Sequence, residues 1–377
     1  MMSERDEQGR RFTLCLVADE DVIERYSGMI RYLQIGLIDE AVDVVMVVPE
    51  TSRTESVIAG PSAVVAYSRR RWPFDMLTRH QAARGMRELL DDSVRQQPMI
   101  VHALSPGAAH LASHLGAEFG AELVVTVTSS TIRRDIGLQH ALDHAATLVF
   151  PSESLRESIA NTPLATKNAE VVRPGVMAKE SVAAFRNMGN VPSIVFAGHL
   201  GAECGADVLI RAVGRVVRER HRVLLFLAGK GPAEPDLRHL VDTLKLAEHV
   251  TFTGRLDHLN AAMDSADIYC VPRALGIFRE EPVLAMAAGM AMIVADGAYC
   301  DGLVDRENAW IISNADEDEL AGGILQMIGS PEQARAMGTA AREVSRAMYS
   351  VARMIGDLTR IYRRLVYRKQ TLTIGGR

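Results

Sequence analysis

The feature that most restricts the fold lies late in the chain. Two short, almost wholly apolar runs, Ile268-Tyr269-Cys270-Val271-Pro272 and Met292-Ile293-Val294-Ala295, flank a segment rich in alanine and methionine. Apolar runs this short, without polar alternation, read as strands covered on both faces. Pro282 stands where a helix can begin, because a proline at the first helical position gives up no hydrogen bond, and Gly289 stands where one can end. Val271 to Ala298 is therefore expected to turn from strand to helix and back to strand in a parallel sheet. In open sheets of this kind ligands bind beyond the carboxyl ends of the strands, where a loop enters a helix, so Arg273 to Glu281 is the leading candidate for a ligand loop.

The same pattern recurs through the chain. Arg11 to Ala18, Val42 to Pro49 and Pro61 to Ser68 read as strands, and so do the apolar runs around Ile100, Val124 and Thr147. Ser193 to Ala197 and Val223 to Ala228 restart it in the second half. Met29, Leu33 and Leu37 recur at helical spacing, as do Val208, Leu209, Ala212 and Val216. Ser152 can cap a helix, with Glu153 complementing its positive end. Further helices are expected to begin at Asp316 and at Ser330-Pro331, and Ser350 to Tyr367 forms a long one. With 377 residues, 48% of them hydrophobic and 24% charged, the chain can supply two α/β cores. The expected domains are 1–190 and 191–349, with 350–377 as a closing helix that packs back on the first. Met177 to Pro192 serves as the crossover.

Several classes are disfavoured. No run approaches the roughly 20 apolar residues of a membrane-spanning helix, and the charged start lacks the form of a secretory signal, so a cytoplasmic protein is expected. Cys15, Cys204, Cys270 and Cys300 are scattered without metal-knuckle or redox spacing, so no metal is expected and the thiols should be reduced. A net charge of -5 and the lack of a basic domain argue against nucleic acid as a partner. Arg69, Arg70 and Arg71 beside Trp72 and Phe74 form a basic aromatic cluster suited to peripheral contact with the inner membrane face, although a solvated loop has the same composition. The basic end of the last helix offers the same two readings.

The segment from the Ile268 strand to Gly289 resembles the donor-site segment of the family 4 glycosyltransferases. Those enzymes have the GT-B fold, two Rossmann-like domains with parallel sheets facing a central cleft. Phe278, Ala285, Met286, Ala287 and Gly289 match the family pattern. Val-His-Ala at His102, Pro-Ser-Glu at Glu153, Val-Val-Arg-Pro-Gly-Val from Val171 and Gly-Lys-Gly-Pro from Gly229 match as well. The resemblance implies transfer of a sugar from a nucleotide diphosphate sugar to a hydroxyl acceptor on a glycan or lipid, with no separate cofactor, no metal and retained anomeric configuration.

Carried over residue by residue, the resemblance puts the donor against Gly198, His199, Gly229, Lys230, Gly231, Phe278, Arg279 and Glu281. On the acceptor side it points to Ser27 and Gly28, read either as the turn after the first strand or as part of an ordinary helix start, to His102, which stands at a strand's carboxyl end but has a satisfied structural role as its default, and to Thr128. Four ionic positions of the family are exchanged. His199 and Cys204 replace the arginine and lysine that grip the diphosphate, and Gly276 and Leu284 replace the two glutamates that hold the sugar and the ribose. Loss of two cations from a diphosphate site is worth roughly 3 to 6 kcal/mol, or about a hundred- to ten-thousand-fold. Arg279, where the family has glycine, can reach a phosphate from the opposite wall, and Glu281 can substitute at the ribose. The exchanges leave two functions open. One is a transferase with reduced turnover; the other is a non-catalytic relative that acts as a binding or assembly partner in a glycan pathway. An epimerase or phosphorylase of the same architecture fits the segments less well.

Overall fold

The computed structural model describes residues 11–38, 40, 42–51, 62–68, 75–90, 97–131, 136–256, 259–313 and 315–374. The chain forms two compact units. One comprises Met1–Gly175 with Val351–Arg377, and the other Val176–Ser350.

The first unit contains β1 (Phe12–Val17), α1 (Glu20–Ile38), β2 (Val42–Pro49), β3 (Ala63–Tyr67) and α2 (Asp75–Leu89). It continues through β4 (Met99–Ala103), α3 (Ala109–Phe119), β5 (Glu122–Thr126), α4 (Ile136–His144), β6 (Thr147–Phe150), α5 (Glu153–Ser158) and β7 (Ala169–Val171). The seven strands are parallel in the order β3-β2-β1-β4-β5-β6-β7. Every residue of β1, β4 and β6 is buried, which explains why their sequences carry no polar alternation. Ser152 caps α5 as its sequence position suggests, its hydroxyl accepting from Leu155 N at 3.2 Å.

The second unit runs β8 (Ser193–Ala197), α6 (Ala206–Arg218), β9 (Leu224–Ala228), α7 (Glu234–Thr243), β10 (Val250–Gly254), α8 (Leu259–Met263) and β11 (Ile268–Val271). It ends with α9 (Glu281–Ala288), β12 (Ala291–Ala295), β13 (Trp310–Ile312), α10 (Glu317–Gly329) and α11 (Pro331–Met348). Its six strands are parallel in the order β10-β9-β8-β11-β12-β13. Val208, Leu209, Ala212 and Val216 face inward from α6 and join Ile194, Phe196, Leu225, Ile268 and Ile293 in one core. The stretch that opened the sequence analysis folds as expected. α9 has Pro282 in its first turn and ends at Gly289, whose φ of 68° is the left-handed cap that a glycine takes without a Cβ clash.

The last helix, α12 (Val351–Ile374), belongs to the first unit. It packs against α1 and β4, and Arg363 Nη2 donates to Glu40 Oε2 at 2.9 Å. The boundary between the units falls at Gly175 and Val176 rather than near residue 190. Residues 182–185 are tied to the second unit by backbone bonds: Ala183 N donates to Ala288 O at 2.9 Å and Ala184 N to Gly289 O at 3.1 Å. Phe185 N also donates to Asp267 Oδ1 at 2.9 Å. The segment expected as a crossover is thus an integral layer of that unit. The cluster from Arg69 to Phe74 lies outside the described residues.

Candidate functional site

In the second sheet the chain winds one way from β8 to β10 and the other way from β11 to β13. The loops leaving the adjacent strands β8 and β11, residues 198–205 and 272–280, therefore border the crevice where such folds bind ligands. The first loop is locked to the loop after β9. Gly198 N donates to Ala228 O at 2.9 Å, Leu200 N to Lys230 O at 3.0 Å and Ala233 N to Leu200 O at 3.0 Å. This contact requires glycine at 229, since a Cβ there would overlap the carbonyl oxygen of Gly198. Gly198, Gly229 and Gly231 are thus brought together, with the exposed side chains of His199 and Lys230 on the adjoining surface.

Arg279 comes from the other loop and meets this corner. Its guanidinium lies over the place a Cβ of residue 198 would fill, and Nη2 donates to Ala197 O. The guanidinium carbon stands 5.5 Å from the Phe196 ring centroid, within the range of a cation–π contact. Nε is 3.6 Å from Glu281 Oε2, and the two side chains are 8% and 17% exposed. Arginine at a position where the resemblance has glycine is therefore a buried charge held between a strand end, an aromatic ring and a carboxylate.

The remaining candidates divide by burial. Phe278 is 1% exposed, so it supports the loop from within and presents no ring to a ligand. Cys204 is also buried, and its sulfur accepts from Ala206 N at 3.5 Å. Burial pushes its thiol pKa up, while the Ala206 hydrogen bond and the positive charge of Arg279 act in the opposite sense. Gly276 takes a φ of 68°. Leu284, half-buried, follows Glu281 by one turn of α9. Beneath the loop, Tyr269 of β11 is fully buried, and among the described residues its hydroxyl has no hydrogen-bond partner. Sequence reading missed this group, because a tyrosine inside an apolar strand gives no sign of where its hydroxyl will end. Among the described residues no cluster of three His, Cys, Asp or Glu side chains is placed to hold a metal ion.

On the acceptor side of the first unit, the structural alternatives are the ones that form. Ser27 and Gly28 do not form the turn after the first strand. They lie inside α1, beside its one irregular residue, Tyr26 with φ -125° and ψ 26°. The helix begins earlier because Asp19 stands directly after β1 and accepts from Val22 N at 2.9 Å. The other Asp19 oxygen accepts from Ser105 Oγ at 2.8 Å, which joins the ends of β1 and β4 at the switch point of this sheet. His102 takes its default, structural role. It is 1% exposed, with Nδ1 2.7 Å from the Tyr362 hydroxyl and Nε2 2.7 Å from Thr126 Oγ1. Burial pulls its pKa down to about 3, so the imidazole is neutral at physiological pH. Thr128 lies just beyond β5, half-buried.

Two parallel-sheet α/β units of seven and six strands are the GT-B glycosyltransferase architecture. Sucrose-phosphate synthase from Thermosynechococcus elongatus superposes with a TM-score of 0.78 at 16% identity, over 95% of this chain and 100% of that one. Anabaena HepE in complex with UDP superposes with a TM-score of 0.73 at 13% identity, over 93% and 99%. At such identities the likeness is one of fold. In sequence, residues 191–330 match the family described as Glycosyl transferases group 1, so the particular resemblance is carried by the second unit. A curated relative, the GDP-mannose-dependent alpha-(1-6)-phosphatidylinositol monomannoside mannosyltransferase of Mycobacterium tuberculosis, is 28% identical over 184 residues, 45% of this chain. The chain spans about half the length of the curated relatives it matches, 47% for this one. Among the described residues no helix is long and apolar enough to cross a membrane.

Proposed function

We propose that the protein is a glycosyltransferase that takes a sugar from a nucleotide diphosphate donor held in the second unit and passes it to a hydroxyl acceptor. The observation that carries this reading is the buried Arg279 guanidinium beside Gly198, at the carboxyl end of β8. A buried cation two residues before the start of α9 is suited to a phosphate, because positive charge and the helix dipole both favour an anion there. In transfer the bond from the anomeric carbon to the phosphate oxygen breaks, and negative charge grows on the leaving diphosphate. Arg279, Lys230 and His199 stabilise that charge in this reading, while Gly198, Gly229 and Gly231 let the loops after β8 and β9 and the Arg279 side chain pack closely enough to form the corner. The acceptor is held by the first unit, near Thr128. The named mannosyltransferase supports a GDP-linked donor and a lipid-linked acceptor, with peripheral membrane contact as part of the same reading.

Isothermal titration with GDP, UDP and ADP and their sugar conjugates tests the donor site, and product formation from the binding conjugate with lipid or glycan acceptors tests transfer. Submillimolar binding of one nucleotide with turnover supports the reading. Absence of binding across the panel refutes it. One observation favours a second function: Gly276 and Leu284 stand where the resemblance places both donor-site carboxylates. A relative that binds nucleotide sugar without turnover, or serves as an assembly partner in a glycan pathway, would show donor binding alone or neither activity beside a stable complex with another protein.

A further inference from the structure

Arg279 and Glu281 stand two residues apart at the mouth of α9, yet they are held very differently. Arg279 is anchored by its bond to the Ala197 carbonyl and by the Phe196 ring, and it is 8% exposed. Glu281 meets it at 3.6 Å, well beyond the roughly 2.7 to 2.9 Å of a charge-assisted hydrogen bond, and is about twice as exposed. The pair thus consists of a fixed cation and a loosely attached anion. Glu281 also stands in the first turn of α9, where the positive end of the helix dipole attracts negative charge of any origin.

Resting on the donor reading above, we infer that Glu281 is a built-in competitor for the diphosphate: it neutralises Arg279 in the resting protein and is displaced when the nucleotide binds. Two further observations point to this corner. The Arg279 guanidinium, supplied from the β11 loop, reaches the start of the β8 loop, where it meets Gly198 and the Ala197 carbonyl. The Tyr269 hydroxyl, orphaned among the described residues, feels both members of the pair in opposite senses, with burial the larger influence. An orphaned buried hydroxyl on β11, the strand that leads into the Arg279 loop, marks a site whose polar groups are incompletely satisfied by the protein itself.

The resting pair has a function that a bare cation would not. A guanidinium this deeply buried is costly to hold, and the Glu281 carboxylate offsets part of that cost when no ligand is bound. The same carboxylate opposes every anion that enters, so binding is weaker than the cation alone would allow. The sign of its removal follows. Were Glu281 instead a ribose ligand, removing its charge would weaken binding; as a competitor, its removal strengthens binding.

Calorimetric dissociation constants for GDP, UDP and ADP are measured with the wild-type chain, Glu281→Gln, Arg279→Lys and Arg279→Met, alongside thermal unfolding. Glu281→Gln tightens the best nucleotide by about tenfold, and the gain shrinks at high salt; Arg279→Met weakens it by about ten- to a hundredfold, and Arg279→Lys falls between. Should Arg279→Met fail to fold, the two conservative variants decide. A nucleotide that binds the wild type and binds Glu281→Gln no better, or worse, overturns the competitor role and leaves the donor reading intact. If no nucleotide binds either the wild type or Glu281→Gln, the donor reading falls and the competitor role falls with it.

Discussion

Acidification should destabilise the first unit through His102, and the size of the effect follows from its burial. The imidazole sits between the Tyr362 and Thr126 hydroxyls with its ring edge-on to Tyr362 at 5.8 Å, and its pKa falls to about 3 from the 6.5 of a free side chain. Because the folded-state pKa is the lower one, the unfolded chain takes up a proton below about pH 6.5 while the folded chain does not until near 3. Stability from this group is complete above 6.5 and is lost as pH falls through that window. At about pH 5 the loss is roughly 2 kcal/mol, from about 1.4 kcal/mol per unit over some 1.5 units. Urea unfolding of the wild type and of His102→Gln from about pH 4.5 to 7.5 isolates the term, since the other titrating groups are common to both. The wild type should lose this extra stability on acidification and the variant should not. Parallel pH profiles would show that the ring takes up its proton without leaving the folded state, and would refute the neutral, buried assignment.

Two substitutions probe the donor corner through stability. Gly229→Ala puts a Cβ against the carbonyl oxygen of Gly198 and should cost on the order of 3 kcal/mol while weakening any nucleotide bound there, as read by thermal shift and calorimetry. Tyr269→Phe removes a buried hydroxyl that has no partner among the described residues, so it should raise stability by about 1 kcal/mol. A loss of similar size would show that the hydroxyl is hydrogen-bonded.

The sheets were legible because burial on both faces leaves a direct trace in sequence: β12 is an unbroken apolar run, β2 and β8 are interrupted only by Asp43 and Ser193 near their starts, and all three fold where those runs lie. Termini with a chemical marker were legible too, as at Ser152 and Gly289. The start of α1 was not. Asp19 is a good cap, but it stands in the run Asp19-Glu20-Asp21, where any acid is a plausible start, and Ser27-Gly28 drew attention as a turn that the helix overrides. His102 illustrates a different limit. Its partner Tyr362 is distant in sequence, and only the return of α12 to the first unit turns a strand-end histidine into a buried, doubly hydrogen-bonded one.

Position 279 shows why matching residues one by one understates this site. In a doubly wound sheet the loops after β8 and β11 open into one crevice, so a cation lost from one loop can be supplied by the other. In the donor reading Arg279 does this for the phosphate side, since its guanidinium reaches Gly198 on the first loop. The ribose side has no such replacement in the competitor reading: Leu284 offers no acceptor, and Glu281 faces Arg279. Diphosphate recognition is then retained while ribose recognition is weakened. A 2′-deoxynucleoside diphosphate should accordingly bind within about threefold of its ribose counterpart, whereas a carboxylate on the ribose hydroxyls would favour the latter by about tenfold or more. The ratio of the two dissociation constants, measured by competition, decides the matter. A tenfold preference for ribose would mean that a carboxylate holds the sugar after all, and Glu281 would be the first residue to reassign.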